Sequence, residues 1–114
     1  MAIIESTRAL VVRDLGGREA MSEGDPLVVW LRGEHDLSTV REVSDVLSRA
    51  ISDEDRDVVV DLSGVEFMGA ATIGVLVRAR QDLRSRARSL TLRAPSTSAD
   101  RVLRACRIDL VESG

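Results

Sequence analysis

Apolar positions along the chain change their period several times, and each change marks an element. The runs ALVVR (residues 9–13) and LVVWLRG (residues 27–33) are rich in β-branched and apolar side chains and read as strands. The connection between them, DLGGREAMSEGDP, is polar and glycine-bearing. It exceeds the roughly two to five residues of a usual hairpin loop, so local flexibility is expected there. In EHDLSTVREVSDVLSRAI, Val40, Val43, Leu47 and Ala50 fall at helical spacing. Thr39 followed three places later by Glu42 fits a capping box at that helix start.

The run VVVDL (residues 58–62) is unbroken and β-branched, which suits a strand at the centre of a sheet. A helix then begins inside FMGAATIGVLV (residues 67–77) and continues to about Ser85. LTLR (residues 90–93) makes a short strand with Leu90 and Leu92 on one face, and Pro95 ends it. STSADRVLRACRIDLV gives a last helix with Ala99, Val102, Leu103 and Cys106 on its inner stripe. Strand and helix alternate with crossovers long enough for parallel pairing in the right-handed sense. The expected fold is a single α/β domain over residues 1–114, with its core at about 5–111. Its mixed four- to five-stranded sheet has an antiparallel N-terminal edge strand and packed helices.

Composition narrows the function. The 114 residues hold 31% charged and 44% hydrophobic side chains, a globular profile. No apolar run approaches the roughly 20 residues a membrane helix needs. The stretch MAIIESTRAL has no basic region leading into a long apolar segment, so no secretory signal is expected and the cytoplasm is the default compartment. One cysteine excludes an internal disulfide and a multi-cysteine metal site. All 16 basic residues are arginine, so no lysine is present for a phosphate-binding loop or a Schiff base. Few aromatics and a net charge of −3 argue against nucleic acid. The arginine-rich run at residues 78–93 reads as a solvated helix face, its later arginines suited to a helix carboxyl end.

In an open α/β sheet, function collects where strand carboxyl ends meet helix amino ends. Two such junctions stand out, GEHDLST and DLSGVEFMGAAT. With GEHDL, VVVDLSGVEFM, TIGVLV and VLRAC in that order over about Leu27 to Leu110, the chain resembles the STAS domain of bacterial anti-sigma-factor antagonists. The resemblance implies a non-enzymatic partner-switching module that binds an anti-sigma factor, commonly a GHKL-type serine kinase, and so frees a sigma factor. It also implies a partner-binding surface, here Asp36, Gly69, Ala70, Ala71, Thr72, Gly74 and Val75. In the family the kinase phosphorylates a serine at this junction, after an aspartate. By the same resemblance Ala71 occupies the phosphoserine position and Gly69 the aspartate position, so both hydroxyl and carboxylate are missing. A phosphoserine would add about −1.5 to −2 charges and spoil a fitted surface; alanine keeps it neutral.

The bland reading is that Gly-Ala-Ala is a tightly packed turn in which glycine supplies positive φ. Ile73, Val75, Leu76 and Val77 crowd the first helical turns; an exposed apolar residue there suits a partner contact, and covering by a neighbouring helix is the equal alternative. Thr72 and Ser63 are the fallback phosphoacceptors. Asp61 and Ser63 are expected to organise the strand end, His35 to be solvated, Trp30 to lie in the core and Cys106 to be a buried structural residue. No metal or other cofactor is expected. The alternative function is a STAS subunit of a stress-signalling scaffold or of a transporter ATPase assembly. A nucleotide or small-molecule sensor has no dedicated ligand set to support it.

Overall fold

The β-branched runs of the sequence lie side by side in one sheet. The computed structural model describes residues 3–5, 9–12, 26–53 and 55–108. Its elements in chain order are β1 (Ile3–Glu5), β2 (Ala9–Val12), β3 (Leu27–His35), α1 (Val40–Asp53), β4 (Val58–Met68), α2 (Ala70–Ser85), β5 (Leu90–Arg93) and α3 (Thr97–Ala105). The sheet order is β1-β2-β3-β4-β5. The three strands that carry the crossovers, β3, β4 and β5, run parallel. β2 pairs antiparallel to β3, and β1 antiparallel to β2. Arg13, most of the connection to Pro26 and the tail from residue 109 lie outside the described residues.

One face of the parallel strands carries Leu27, Val29, Leu31, Val58, Val60, Leu62, Leu90 and Leu92 into the core. Val43, Leu47 and Ala50 of α1, Ile73, Leu76 and Leu83 of α2, and Ala99 and Leu103 of α3 pack against them. Each large side chain so buried contributes about 1.5–3 kcal/mol. The opposite face is of another kind. Trp30, Asp61 and Arg93 occupy matched registers on three neighbouring strands. Arg93 Nε donates to Asp61 Oδ2 at 2.9 Å, and its guanidinium lies 5.7 Å from the Trp30 ring centroid. Trp30, expected in the core, is therefore only half-buried beneath an arginine.

β4 is longer than the run VVVDL predicts, because it continues through SGVEFM. Against β3 it carries an extra residue at two places: Trp30 and Arg32 face Asp61 and Gly64, and Gly33 and Glu34 face Val65 and Phe67. Each extra residue moves the inward side chain from one parity to the other. Inward positions thus pass from Leu62 to Val65 and then to Met68, while Phe67 turns outward. Gly33 sits at the second shift with φ 81, a conformation that favours glycine. His35 then enters the protein instead of the solvent: it is fully buried, with Nε2 2.9 Å from the Arg32 carbonyl oxygen.

Two helix ends are built alike. At the end of α2 the amide of Arg88 donates to the Leu83 carbonyl and that of Ala87 to the Arg84 carbonyl. At the end of α3 the amides of Ile108 and Arg107 reach the Leu103 and Arg104 carbonyls in the same way. These are Schellman ends, in which the turning residue adopts the left-handed conformation. Here it is Ala87 (φ 59) and Arg107 (φ 56) where glycine is usual. Because α3 stops at Ala105, Cys106 lies at the cap and is exposed, not on the buried stripe that periodicity assigned to it. Ser96 starts α3, its hydroxyl accepting from the Ala99 amide at 3.1 Å.

Arg88, just beyond α2, does not lie on a solvated face. It is buried and donates to the carbonyls of Ile51 at 3.0 Å and Arg56 at 2.7 Å. A cation thus closes the carboxyl end of α1, a helix other than its own. Hydrogen bonds to a charged group are worth about 1.5–3 kcal/mol, so Arg88→Met should lower unfolding free energy by about 2–3 kcal/mol in urea titrations. Ala87→Gly should raise it by about 0.5–1 kcal/mol in the same assay, by relieving the left-handed strain.

Candidate functional site

The carboxyl ends of β3 and β4 emerge together, and one backbone bond ties them. The Gly69 amide donates to the His35 carbonyl at 2.8 Å. The turn after β3 and the start of α2 therefore form one rigid lip. In the turn, Asp36 Oδ1 accepts from the Ser38 amide at 2.9 Å and the Ser38 hydroxyl at 2.6 Å. The Thr39 hydroxyl accepts from the Asp36 amide at 3.1 Å and lies 3.2 Å from the Asp36 carbonyl. Thr39 thus closes the turn on itself before α1 begins. The Ser38 hydroxyl, helped by backbone amides, holds the Asp36 carboxyl below its ordinary value of 3.8. At neutral pH this side chain is a fixed negative charge.

α2 starts without a side-chain cap and with no acidic residue in its first turn. Its first amides point outward unneutralised, the positive end of the helix dipole. Gly69 precedes it with φ −88 and ψ 168, extended backbone open to any residue. Positive φ is therefore not what calls for glycine at this turn. Nor does packing demand glycine: an added Cβ would meet the His35 carbonyl oxygen at 3.6 Å and the Phe67 ring at 3.7 Å, ordinary contacts.

The surface itself is small and open. Ala70 is exposed, and Gly69, Ala71 and Gly74 are half-buried along one stripe of α2. Beside them stand the large exposed apolar side chains among the described residues, Phe67 at 50% and Leu37 at 77% exposure. Phe67 was not singled out by sequence reasoning. The signal that could have found it is the glycine pair Gly33 and Gly64 in facing strands, a mark of irregular pairing. Two expected contact residues are not on this surface. Thr72 is fully buried and Val75 is 5% exposed, since α1 packs along that flank of α2. The Thr72 hydroxyl is sealed without a hydrogen-bond partner, so it is out of a kinase's reach as a phosphoacceptor. The other fallback, Ser63, is exposed, and its hydroxyl donates to Asp61 Oδ1 at 2.6 Å.

Asp61 organises the loop after the sheet centre. Burial alone would raise its carboxyl, but the Ser63 hydroxyl and amide and the Arg93 guanidinium outweigh burial and leave it below 3.8. A depressed folded pKa adds stability that is present above the unfolded value and lost as pH falls through the folded one. Among the described residues, no cluster of His, Cys, Asp and Glu could hold a metal ion, and no helix is long and apolar enough to cross a membrane.

An open α/β sheet with an exposed lip of small and apolar residues at the carboxyl ends of β3 and β4 defines the class, and comparison names the family. The model described as "Mlab, STAS domain" matches residues 19–111, so the chain belongs to the STAS domain family. The fold is similar to that of the anti-sigma factor antagonist SpoIIAA in its unphosphorylated form. That likeness has a TM-score of 0.66 at 21% identity and covers 79% of this chain and 78% of that one. A candidate anti-sigma factor antagonist from Thermotoga maritima is similar at a TM-score of 0.61 and 20% identity, over 76% of this chain and 80% of its own. No curated protein matches the sequence.

Asp61→Asn should flatten the acid limb of the stability profile, measured by urea unfolding from pH 5 down to pH 2. An unchanged limb would assign acid sensitivity to other carboxylates. Gly69→Asp, which places a carboxylate at an uncapped helix start, should raise stability by about 0.5 kcal/mol.

Proposed function

We propose that this protein is a non-enzymatic anti-sigma-factor antagonist, acting in the cytoplasm, that binds a kinase-type anti-sigma factor through Asp36 and the Gly69–Gly74 lip. Asp36, Gly69, Ala70, Ala71 and Gly74 form the contact, joined by Phe67 and Leu37. Ala71 stands where the family's serine is phosphorylated, so binding is set by abundance and not by a covalent charge. The observation that carries this reading is the open lip: a half-buried Ala71 beside an exposed Ala70, with no exposed hydroxyl and no acid in the first turn of the helix. Membership of the STAS family and the resemblance of fold to anti-sigma factor antagonists support it. Gly69 is required by neither backbone conformation nor space, which favours a surface role over a packing one.

A second reading makes the domain a STAS subunit of a stress-signalling scaffold or a transporter ATPase assembly. It draws on the same exposed Phe67 and Leu37, which suit a permanent contact as well as a transient one.

Isothermal titration against the purified anti-sigma factors of the source organism tests the first reading. One of them should bind stoichiometrically, and Ala71→Glu, which brings bulk and charge to the lip, should weaken it by about tenfold or more. Incubation with the same kinases and ATP should leave the native chain unmodified, whereas Gly69→Asp combined with Ala71→Ser should take up phosphate. Absence of binding to every anti-sigma factor, with capture of a membrane-transport ATPase instead, would transfer the assignment to the second reading.

A further inference from the structure

The stripe of small residues on α2 ends in a charge. Arg78 lies on the outward face one turn below Gly74, and it makes no ion pair or hydrogen bond among the described residues. Its guanidinium does not extend into solvent away from the lip. Nη1 lies 3.8 Å from where a Gly74 Cβ would stand, so it folds back over the stripe. The nearby acid on the same helix, Asp82, is already engaged by Arg86 at 3.1 Å. Arg78 also lines a cavity of about 170 Å³ between α1 and α2, together with the apolar Leu47, Ile51 and Val75 and the polar Ser44, Ser48 and Asp82.

Together these place a guanidinium with no partner among the described residues over Gly74 and beside a hollow of mixed polar and apolar lining. The opposite end of the lip has the opposite sign. Asp36 Cα is 3.9 Å from the Gly69 Cβ position, and its carboxylate is ionised. From Gly69 to Gly74, where the guanidinium rests, the helix rises about 7 Å, so the surface is a short apolar strip with an acid at one end and a base at the other.

We infer that Arg78 is the charged anchor of this surface and takes a carboxylate from the docked partner, whose apolar segment lies on Ala70, Ala71 and Gly74. The inference rests on the proposed docking function and specifies the partner's chemistry. A guanidinium presents a planar fork of donors that matches a carboxylate, which fixes direction as well as adding attraction. A partner segment laid in reverse would set its acid against Asp36 and leave Arg78 uncompensated. Arg78 thereby selects both the partner and the way it lies.

The test uses the purified anti-sigma factor that binds the native chain. Arg78→Glu and Arg84→Glu make the same charge change on exposed positions of one helix, Arg84 lying farther from the lip. Arg78→Glu should weaken binding by about tenfold or more and flatten its salt dependence, with Arg84→Glu within about threefold of native. Reversal of one acidic residue on the partner to arginine should restore affinity for Arg78→Glu. Equal losses from the two variants, or the absence of any rescuing reversal, would overturn the inference while leaving the docking function intact. If Ala71→Glu and Arg78→Glu both bind as the native chain does, the docking surface itself is misplaced and both readings fall.

Discussion

The two extra residues that β4 carries against β3 are the constraint on which the site depends. A regular strand would send Leu62, Gly64, Glu66 and Met68 inward and would put a glutamate in the core. Two shifts of parity replace that series with Leu62, Val65 and Met68, all buried, and leave Glu66 and Phe67 outside. The correction costs local ladder regularity, which Gly33 absorbs by its positive φ. Its outcome is that Met68 anchors the strand end, so that the next residue, Gly69, is delivered to the His35 carbonyl at hydrogen-bond distance. Without that bond the two loops would be independent, and a surface made from both would have no fixed shape.

Much of this was legible in the residues. The order of strands and helices from Leu27 to Arg93 follows from period alone, because β-branched runs and a helical stripe are strong signals. The start of β4, the extent of α2 and the strand at residues 90–93 fall where the pattern puts them. Burial was less legible wherever it depended on a neighbour. Thr72 reads as a surface candidate from the family resemblance, and Val75 also because the apolar residues of the first turns cannot all face one sheet; the alternative, covering by a neighbouring helix, is the one the packing of α1 on α2 realises. His35 read as solvated because its sequence neighbours are polar, yet the irregular pairing at Gly33 turns it inward. Cys106 lies one residue beyond a helix end that periodicity cannot locate, since the Schellman turn there uses Arg107 where glycine would announce it.

The arginines divide in the same way, by what the fold brings near them. Arg88 reaches across more than thirty residues of sequence to carbonyls at the end of α1, and Arg93 to Asp61 on the next strand. Neither partner is visible in a charge run. Arg86 and Arg104 make exposed pairs one helical turn from their acids, of the kind that contributes little, up to about 0.5 kcal/mol. Arg78 belongs to no such set. It holds no partner among the described residues and lies against the small residues of its helix.

This contrast bears on how a lip without a hydroxyl can still be selective. A phosphorylated surface discriminates in time, since added charge removes the partner. On the proposed function a surface with Ala71 lacks that means, and its small residues alone offer mostly shape, which many apolar segments could match. On the proposed reading, charges at the two ends supply discrimination without a switch. Asp36 is held ionised by Ser38, and the Arg78 guanidinium lies over Gly74. On that reading, discrimination resides in the direction and sign of the docked segment.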